Sequence, residues 1–504
     1  MTGSKPAERL EKSLFANKIS IAGIFLAVST LFLIFVFIGI DFLEADSNPY
    51  TGIITYMALP VFLIFGLILM AVGVMVERRR RRLRSPETIP RFPTIDLNSP
   101  KTRRNVIWGA ILSIIFLLLS GVGSYRAYHL TDSVGFCGLT CHQVLKPEFT
   151  AYTNSPHARV KCVHCHIGPG AGWFVRSKLS GMYEVYATLA NTYPRPIPTP
   201  IKNLRPAQET CEQCHWPKVF FGAVQKENHH FLSDEENSPW TINLLLKVGG
   251  GDPTFSPVGG IHWHMSIDNK IEYIATDKQR QNIAWVRKTD KRGAVTIYES
   301  EDEPLENEPE NYEIRTMDCI DCHDRPTHIF WSPAEAVNLS LQTGRLDRSL
   351  PYIKAKSVEL LSEEYESTEA ALERIPQQLK AYYEADFPDV YGAKLNIIEE
   401  AADELKNIYR NNFFPEMKVR WDVYPDNIGH LMWKGCFRCH DGKHTTETGQ
   451  SIGKDCNACH IIISQEDGEQ VAVSLEGLEF EHPVDIDGAW EEMNCNECHT
   501  GGAM

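Results

Sequence analysis

Hydrophobic and polar positions divide this chain into two regimes. Near the N-terminus the apolar residues come in long unbroken runs; farther on they come in short pieces. Residues 19–40, 51–76 and 106–123 contain no Asp, Glu, Lys or Arg. Each run is long enough to cross about 30 Å of hydrocarbon as a helix, so three transmembrane helices are expected, with Pro60 tolerated inside the second. The first run is too long for the apolar part of a cleaved signal peptide, and no small-residue cleavage site follows it.

Past the third run the pattern shortens. Residues 173–191 read as an amphipathic helix between a Gly-rich stretch and the Pro-rich residues 193–206. Residues 242–248, 261–267, 270–275, 282–288 and 294–299 are rich in β-branched and aromatic side chains and are separated by turn residues, which predicts strands. Residues 299–313 are acidic and contain Pro, so a solvated loop is expected. Ser332-Pro333-Ala334-Glu335 forms a capping box with Pro at the first helical position. Residues 367–375 and 393–410 carry apolar residues at helical spacing.

Charge adds orientation. The net charge is −15. Residues 1–125 hold 14 Lys and Arg against 8 Asp and Glu, net +6, so the remainder carries −21. The basic residues before the first run and between the second and third place those segments inside, and everything after the third run outside. An acidic exterior of this size rejects nucleic acid and suits a basic partner.

The cysteines bring in the chemistry. All 14 fall into seven motifs ending in Cys-His. Six are Cys-x-x-Cys-His: Cys162, Cys165 and His166; Cys211, Cys214 and His215; Cys319, Cys322 and His323; Cys436, Cys439 and His440; Cys456, Cys459 and His460; Cys495, Cys498 and His499. The first motif, Cys137, Cys141 and His142, has one extra residue between its thiols. This spacing is the attachment site of c-type haem: two thioethers tether the porphyrin and the adjacent His ligates the iron. Zinc knuckles have no reason to place His after every second Cys, and a Cys-x-x-Cys disulfide constrains little. Seven c-type haems are therefore expected. Their attachment on the outer side of a bacterial cytoplasmic membrane agrees with the charge-derived orientation, which makes the protein a multi-pass inner-membrane protein with a periplasmic haem domain.

The chain has 18 His, and eleven remain outside the proximal positions. Bis-His ligation of each iron is within that supply. The distal candidates are His157, His230 (or its neighbour His229), His262, His264, His328, His430, His444 and His482, with His129 and His164 less favoured. The expected fold is a multihaem cytochrome c: three N-terminal transmembrane helices, then a mostly irregular and α-helical haem domain with a small β-rich insertion. The expected divisions are 1–18 (tail), 19–125 (anchor), 126–218 (haems 1–3), 219–318 (β-rich insertion), 319–430 (haem 4 and helices) and 431–504 (haems 5–7).

A haem domain at a membrane surface needs a reductant, and lipid-dissolved quinol is the natural one. The helix at 173–191, with Lys178, Glu184 and the interface-type residues Trp173, Tyr183 and Tyr186, is placed to serve it. The residues Phe136 to His142, Ser155-Pro156-His157, Lys161 to Gly168, Lys178, Arg205 and the Cys211 motif resemble the NapC/NirT family of membrane-anchored quinol dehydrogenases. The remainder, with Arg325-Pro326-Thr327-His328 and Gly435 to Gly442, resembles the larger heptahaem inner-membrane cytochromes of the ImcH type. The resemblance implies menaquinol oxidation at the first haem, with Lys178 as the quinol-site lysine; Glu184 as proton acceptor follows from position alone. Where family members often place an axial Met, this chain has Val144, so the distal side of the first haem is either open or held by His129. The implied function is quinol:cytochrome c oxidoreduction feeding anaerobic or extracellular respiration. The implied partners are the membrane quinol pool, a basic periplasmic c-type cytochrome docked by residues 299–313, and further membrane subunits. The alternatives are a terminal reductase of a small substrate such as nitrite and a passive electron-transfer subunit of a larger complex.

Overall fold

The computed structural model describes residues 14–15, 17–43, 59–82, 97–140, 142–168, 171–201, 206–216, 222–249, 259–266, 268–468 and 470–503. They fall into two units, residues 1–140 and 141–504. The N-terminal tail, most of the two loops between the apolar runs, Cys141 and Arg205 lie outside the described residues.

In the first unit, α1 (Lys18–Leu43), α2 (Leu59–Arg82) and α3 (Pro100–Thr131) are long and apolar enough to cross a membrane. Small residues let α1 and α2 approach closely. A Cβ at Gly23 would run into the backbone of Gly66 and Met70, and one at Gly73 into Ser20. Polar groups fasten the same seam: Asn17 Nδ2 donates to the Gly73 carbonyl at 3.1 Å and Ser20 Oγ to the Met70 carbonyl at 3.1 Å. The side chains of Ile107, Trp108, Leu112, Leu118 and Val122 on α3 are exposed, as lipid contact requires. The short helix α4 (Val134–Leu139) follows, capped by Ser133.

The second unit begins with α5 (His142–Thr153), α6 (Cys162–His166), α7 (Ala171–Leu189) and α8 (Ala207–Cys211). Two antiparallel sheets come next. One orders its strands β1 (Val224–Phe231), β2 (Pro239–Leu246), β8 (His460–Glu466) and β9 (Val471–Leu478). The other runs β6 (Arg315–Thr316), β3 (Asn269–Ala275), β4 (Ile283–Asp290), β5 (Val295–Ser300) and β7 (His444–Thr445). The β structure is thus no self-contained insertion at 219–318: β2 pairs with β8 in a register running from Thr241↔Glu466 to Leu246↔His460. Residues 261–266, the described part of the expected strand 261–267, are also not a strand. They open with the 3-10 helix Ile261–Met265, entered through Gly260 at φ 86° and closed by His264 Nδ1 on the Ile261 carbonyl at 2.8 Å.

The main core lies in the helical lobe of α9 (Pro333–Gln342), α10 (Ile353–Ser362), α11 (Thr368–Asp386) and α12 (Pro388–Asn412). The Ser332 capping box forms as the sequence reads. On α12, Ile398, Ala401, Ala402, Leu405, Ile408 and Tyr409 are buried at helical spacing. They meet Ile375, Leu379 and Tyr383 of α11, each fully buried. At roughly 2 kcal/mol per buried aliphatic side chain, this lobe is the chain's main apolar reserve. The clusters under the sheets are smaller: Ile271, Tyr273, Ile283 and Val286 in one, Trp240, Ile242 and Ile462 in the other.

Candidate haem centres

The Cys-x-x-Cys-His segments fold as single tight turns. The second motif is α6, and α8 leads into the third. The fourth, fifth and sixth contain the 3-10 turns Cys319–Asp321, Gly435–Arg438 and Cys456–Ala458, and the seventh is α14 (Cys495–Cys498), preceded by α13 (Ala489–Glu492). In the third, fourth, fifth and seventh motifs the histidine's backbone N–H returns to the first cysteine's carbonyl. These bonds are His215 to Cys211 at 2.8 Å, His323 to Cys319 at 2.8 Å, His440 to Cys436 at 3.0 Å and His499 to Cys495 at 2.7 Å. One turn therefore holds two thiols and an imidazole as a unit. No two described cysteines are joined in a disulfide, and among the described residues no group of three or more ligating side chains could hold a bare metal ion.

Each motif histidine from the second to the seventh faces a second histidine. The ring-centre distances are 6.3 Å for His166–His328, 6.1 Å for His215–His157, 6.4 Å for His323–His262, 5.8 Å for His440–His264, 6.2 Å for His460–His430 and 6.1 Å for His499–His482. Two metal–nitrogen bonds of about 2 Å, plus about 1.1 Å from each ring nitrogen to its ring centre, give about 6.2 Å. These gaps therefore fit an iron held between two imidazoles.

The hydrogen bonds behind the rings point the same way. Nδ1 of His157, His262, His264, His328, His440 and His482 lies on the carbonyls of Pro326, Val248, Ile261, Glu148, Gly453 and Val484, at 2.6–3.2 Å. Nδ1–H donated to a carbonyl leaves Nε2 as the lone-pair nitrogen that binds a metal. Burial also lowers the pKa of His264, His328, His430 and His460, which favours the neutral ring.

Two distal candidates are held otherwise. His444 is fully buried, with Nδ1 on Asp441 Oδ1 at 2.9 Å and Nε2 on the Ile283 carbonyl at 2.8 Å, so neither nitrogen is left for iron. Burial pulls its pKa down, but the Asp441 hydrogen bond and charge outweigh that and raise it. His230 packs on Trp240 with ring centres 5.5 Å apart and places Nδ1 3.4 Å from Asn338 Nδ2. Burial, with Lys354 and His499 in electrostatic reach, takes its pKa down to about 4. Its neighbour His229 spends both nitrogens on Thr241 and Glu227. His129 packs edge-to-face against Tyr125 and Tyr128 in the first unit, and His164 is exposed on α6.

Of the suggested quinol-site pair, Glu184 is exposed on α7 and its Oε1 accepts from Ser180 Oγ at 3.0 Å. The Lys178 and His142 side chains lie outside the described residues.

The six described motifs are neighbours in chain order. Cys165 lies in electrostatic reach of Cys211 and Cys214, and the thiols of Cys211 and Cys319 are in hydrogen-bonding contact. Cys322 lies near Cys436, Cys459 near Cys436, and Cys495 near Cys456. Polar ties hold the row. Ala207 N donates to Asp318 Oδ2 at 3.1 Å, and Lys454 Nζ to Asn494 Oδ1 at 3.1 Å. Arg438, inside the fifth motif, donates to the Asp321 carbonyl at 2.6 Å and the Arg280 carbonyl at 2.9 Å. Sequence reading passes over that arginine, and also over Glu148, which holds both His328 and Arg325. A charged residue between two haem cysteines was the available signal for Arg438; Glu148 had none.

Residues 99–196 match the N-terminal region of the NapC/NirT cytochrome c family. Over 488 residues the chain is 46% identical to the cytochrome c-type protein ImcH of Geobacter sulfurreducens, covering 97% of this chain and 96% of that protein. No solved structure matches the chain significantly.

Proposed function

This chain belongs to the c-type cytochrome family of ImcH, with a NapC/NirT region near its N-terminus, and on that premise we propose that it is a membrane-anchored quinol dehydrogenase. It takes electrons from menaquinol at the periplasmic face of the bacterial cytoplasmic membrane and delivers them to a soluble periplasmic c-type cytochrome. Seven cysteine pairs tether seven haems. His142, His166, His215, His323, His440, His460 and His499 are the proximal ligands, and His328, His157, His262, His264, His430 and His482 the distal ligands of haems 2 to 7. Covalently bound haem supplies a one-electron carrier whose iron changes oxidation state without exchanging ligands when imidazoles grip both faces.

The observation that carries this reading is the set of six histidine pairs at 5.8–6.4 Å, lined up in chain order. Twelve committed imidazoles favour electron transfer over small-molecule reduction, which needs an open iron.

Helix α7 exposes Leu179, Met182, Tyr183, Tyr186 and Leu189 at helical spacing. An apolar and tyrosine-rich face of this kind suits the lipid headgroup boundary. Quinol oxidation releases two protons with its two electrons, so the site needs a donor to hold the quinol oxygen and a base to take a proton. Lys178 and Glu184, on that helix, fill those roles.

Purified, haem-loaded chain in detergent tests the proposal. It should oxidise a menaquinol analogue with a small artificial acceptor, and Lys178→Ala should slow that oxidation with all haems present. Inactivity of the unsubstituted chain would contradict it.

A further inference from the structure

We propose that the outer edge of the β1-β2-β8-β9 sheet, beside the His482–His499 pair, is the surface on which a small, lysine-rich c-type cytochrome docks. This deepens the reading above and rests on it.

Position comes first. The Cys495–Cys498 turn closes the row of motifs, in reach of Cys456 of the sixth. Cys498 is exposed, but so are Cys165, Cys214 and Cys456, so it is the seventh motif's place at the end of the row that marks it. An electron that enters at the first motif leaves a linear row from the last.

Shape comes second. Among the described residues β9 is the last strand of its sheet and pairs with β8 alone. Its alternate residues Val471, Val473 and Leu475 are 58%, 63% and 90% exposed. The chain then runs from β9 straight into the ligand pair: Phe480 packs on His482 with ring centres 6.3 Å apart and on Trp490 at 5.4 Å. An open apolar strand edge is a liability unless something covers it.

Charge selects the occupant. Residues 461–504 contain eleven Asp and Glu and no Lys or Arg. Glu466, Glu476, Glu479, Glu481, Asp485 and Glu491 are all exposed. A second copy would bring the same charge to the same edge and be repelled, as would an anionic lipid surface. A basic cytochrome gains from the rim and covers the apolar strand, in the small, steered contact typical of transient redox pairs. The other acidic stretch, 299–313, fits less well. Asp302 is already paired with Lys443 at 2.6 Å, and the stretch leads to the fourth motif, which is inside the row.

The test compares two charge reversals in the full haem-loaded chain, Glu476→Lys with Glu479→Lys and Glu481→Lys, and Glu306→Lys with Glu308→Lys and Glu310→Lys. Each is titrated with a lysine-rich monohaem cytochrome c by calorimetry at low and high salt, after visible spectra show the same haem content and spin states as the parent. The C-terminal reversal should weaken binding about tenfold or more at low salt, with the difference vanishing at high salt, and Leu475→Ser should weaken binding at both. The 306–310 reversal should leave affinity unchanged. Equal affinity of both reversals with the parent, a loss confined to the 306–310 variant, or a salt-resistant dimer through β9 would each overturn the proposal. Failure of the parent chain to oxidise a menaquinol analogue with a small acceptor would instead sink the function it rests on.

Discussion

His262 and His264, two residues apart on one 3-10 turn, face different motif histidines: His262 meets His323 at 6.4 Å and His264 meets His440 at 5.8 Å. A 3-10 turn advances three residues per turn, so positions i and i+2 point in different directions. The Ile261–Met265 turn therefore ties the fourth centre to the fifth. Replacing either histidine by Ala should convert one haem, and a different one in each case, to a high-spin form. Electron paramagnetic resonance of the two variants would show one new high-spin signal each. Identical spectra, or two centres lost in either, would contradict the shared turn.

Asp321, between the two cysteines of the fourth motif, is a buried charge with several donors around it. Its Oδ1 accepts from Tyr273 at 2.7 Å, Arg280 at 3.1 Å and Arg315 at 2.7 Å, and Oδ2 from the Asp318 N–H at 2.7 Å. Asp321→Ala leaves two guanidinium groups without their partner and should cost about 3–5 kcal/mol, while Asp321→Asn should cost less. Denaturant unfolding of the full haem-loaded chain would read the difference. Equal stability of parent and Ala variant would dismiss the network.

Lys354 gives a pH prediction. Burial takes its pKa down to about 7, against a smaller upward pull from Glu335. Its Nζ donates to the Ala334 carbonyl and Asn338 Oδ1, each at 2.7 Å. Between the folded value and the ordinary 10.5, the unfolded chain holds a proton that the folded chain does not. Stability should therefore rise with pH through that window, and pH below 7 adds no further change from this group. Lys354→Met should flatten the rise, measured as the denaturant midpoint across a pH series. A parallel rise in the variant would contradict the assignment.

Gly435 precedes the fifth motif at φ 51° and packs against the Gly429 carbonyl, which accepts the Cys436 N–H at 3.1 Å. A Cβ there would overlap that carbonyl. Gly435→Ala should disturb the turn carrying Cys436 and Cys439, and intact mass should show chains with one haem fewer. A full complement would mean the turn tolerates the shift.

Features with a fixed local grammar are readable in the sequence. Thioether attachment demands a set spacing, hydrocarbon demands length, and the Ser332 cap is a four-residue pattern. Partner choice is different. His328 follows the fourth motif closely, yet its ring faces His166 of the second; His157 precedes the second motif, yet faces His215 of the third. Long-range packing decides such pairings, and no periodicity records it. The same holds for β2 with β8, whose strands lie in segments that the sequence reading assigns to separate regions. His444 shows the opposite error: a His in a haem-motif setting reads as a ligand until both its nitrogens are found engaged.

The most direct test of the central claim is near-infrared magnetic circular dichroism of the purified chain, with intact mass measured on the same sample. The account predicts seven covalently added haems, six of them with the charge-transfer band of bis-imidazole iron. Fewer than six such centres, or bands of histidine–methionine ligation from more than one haem, would contradict it.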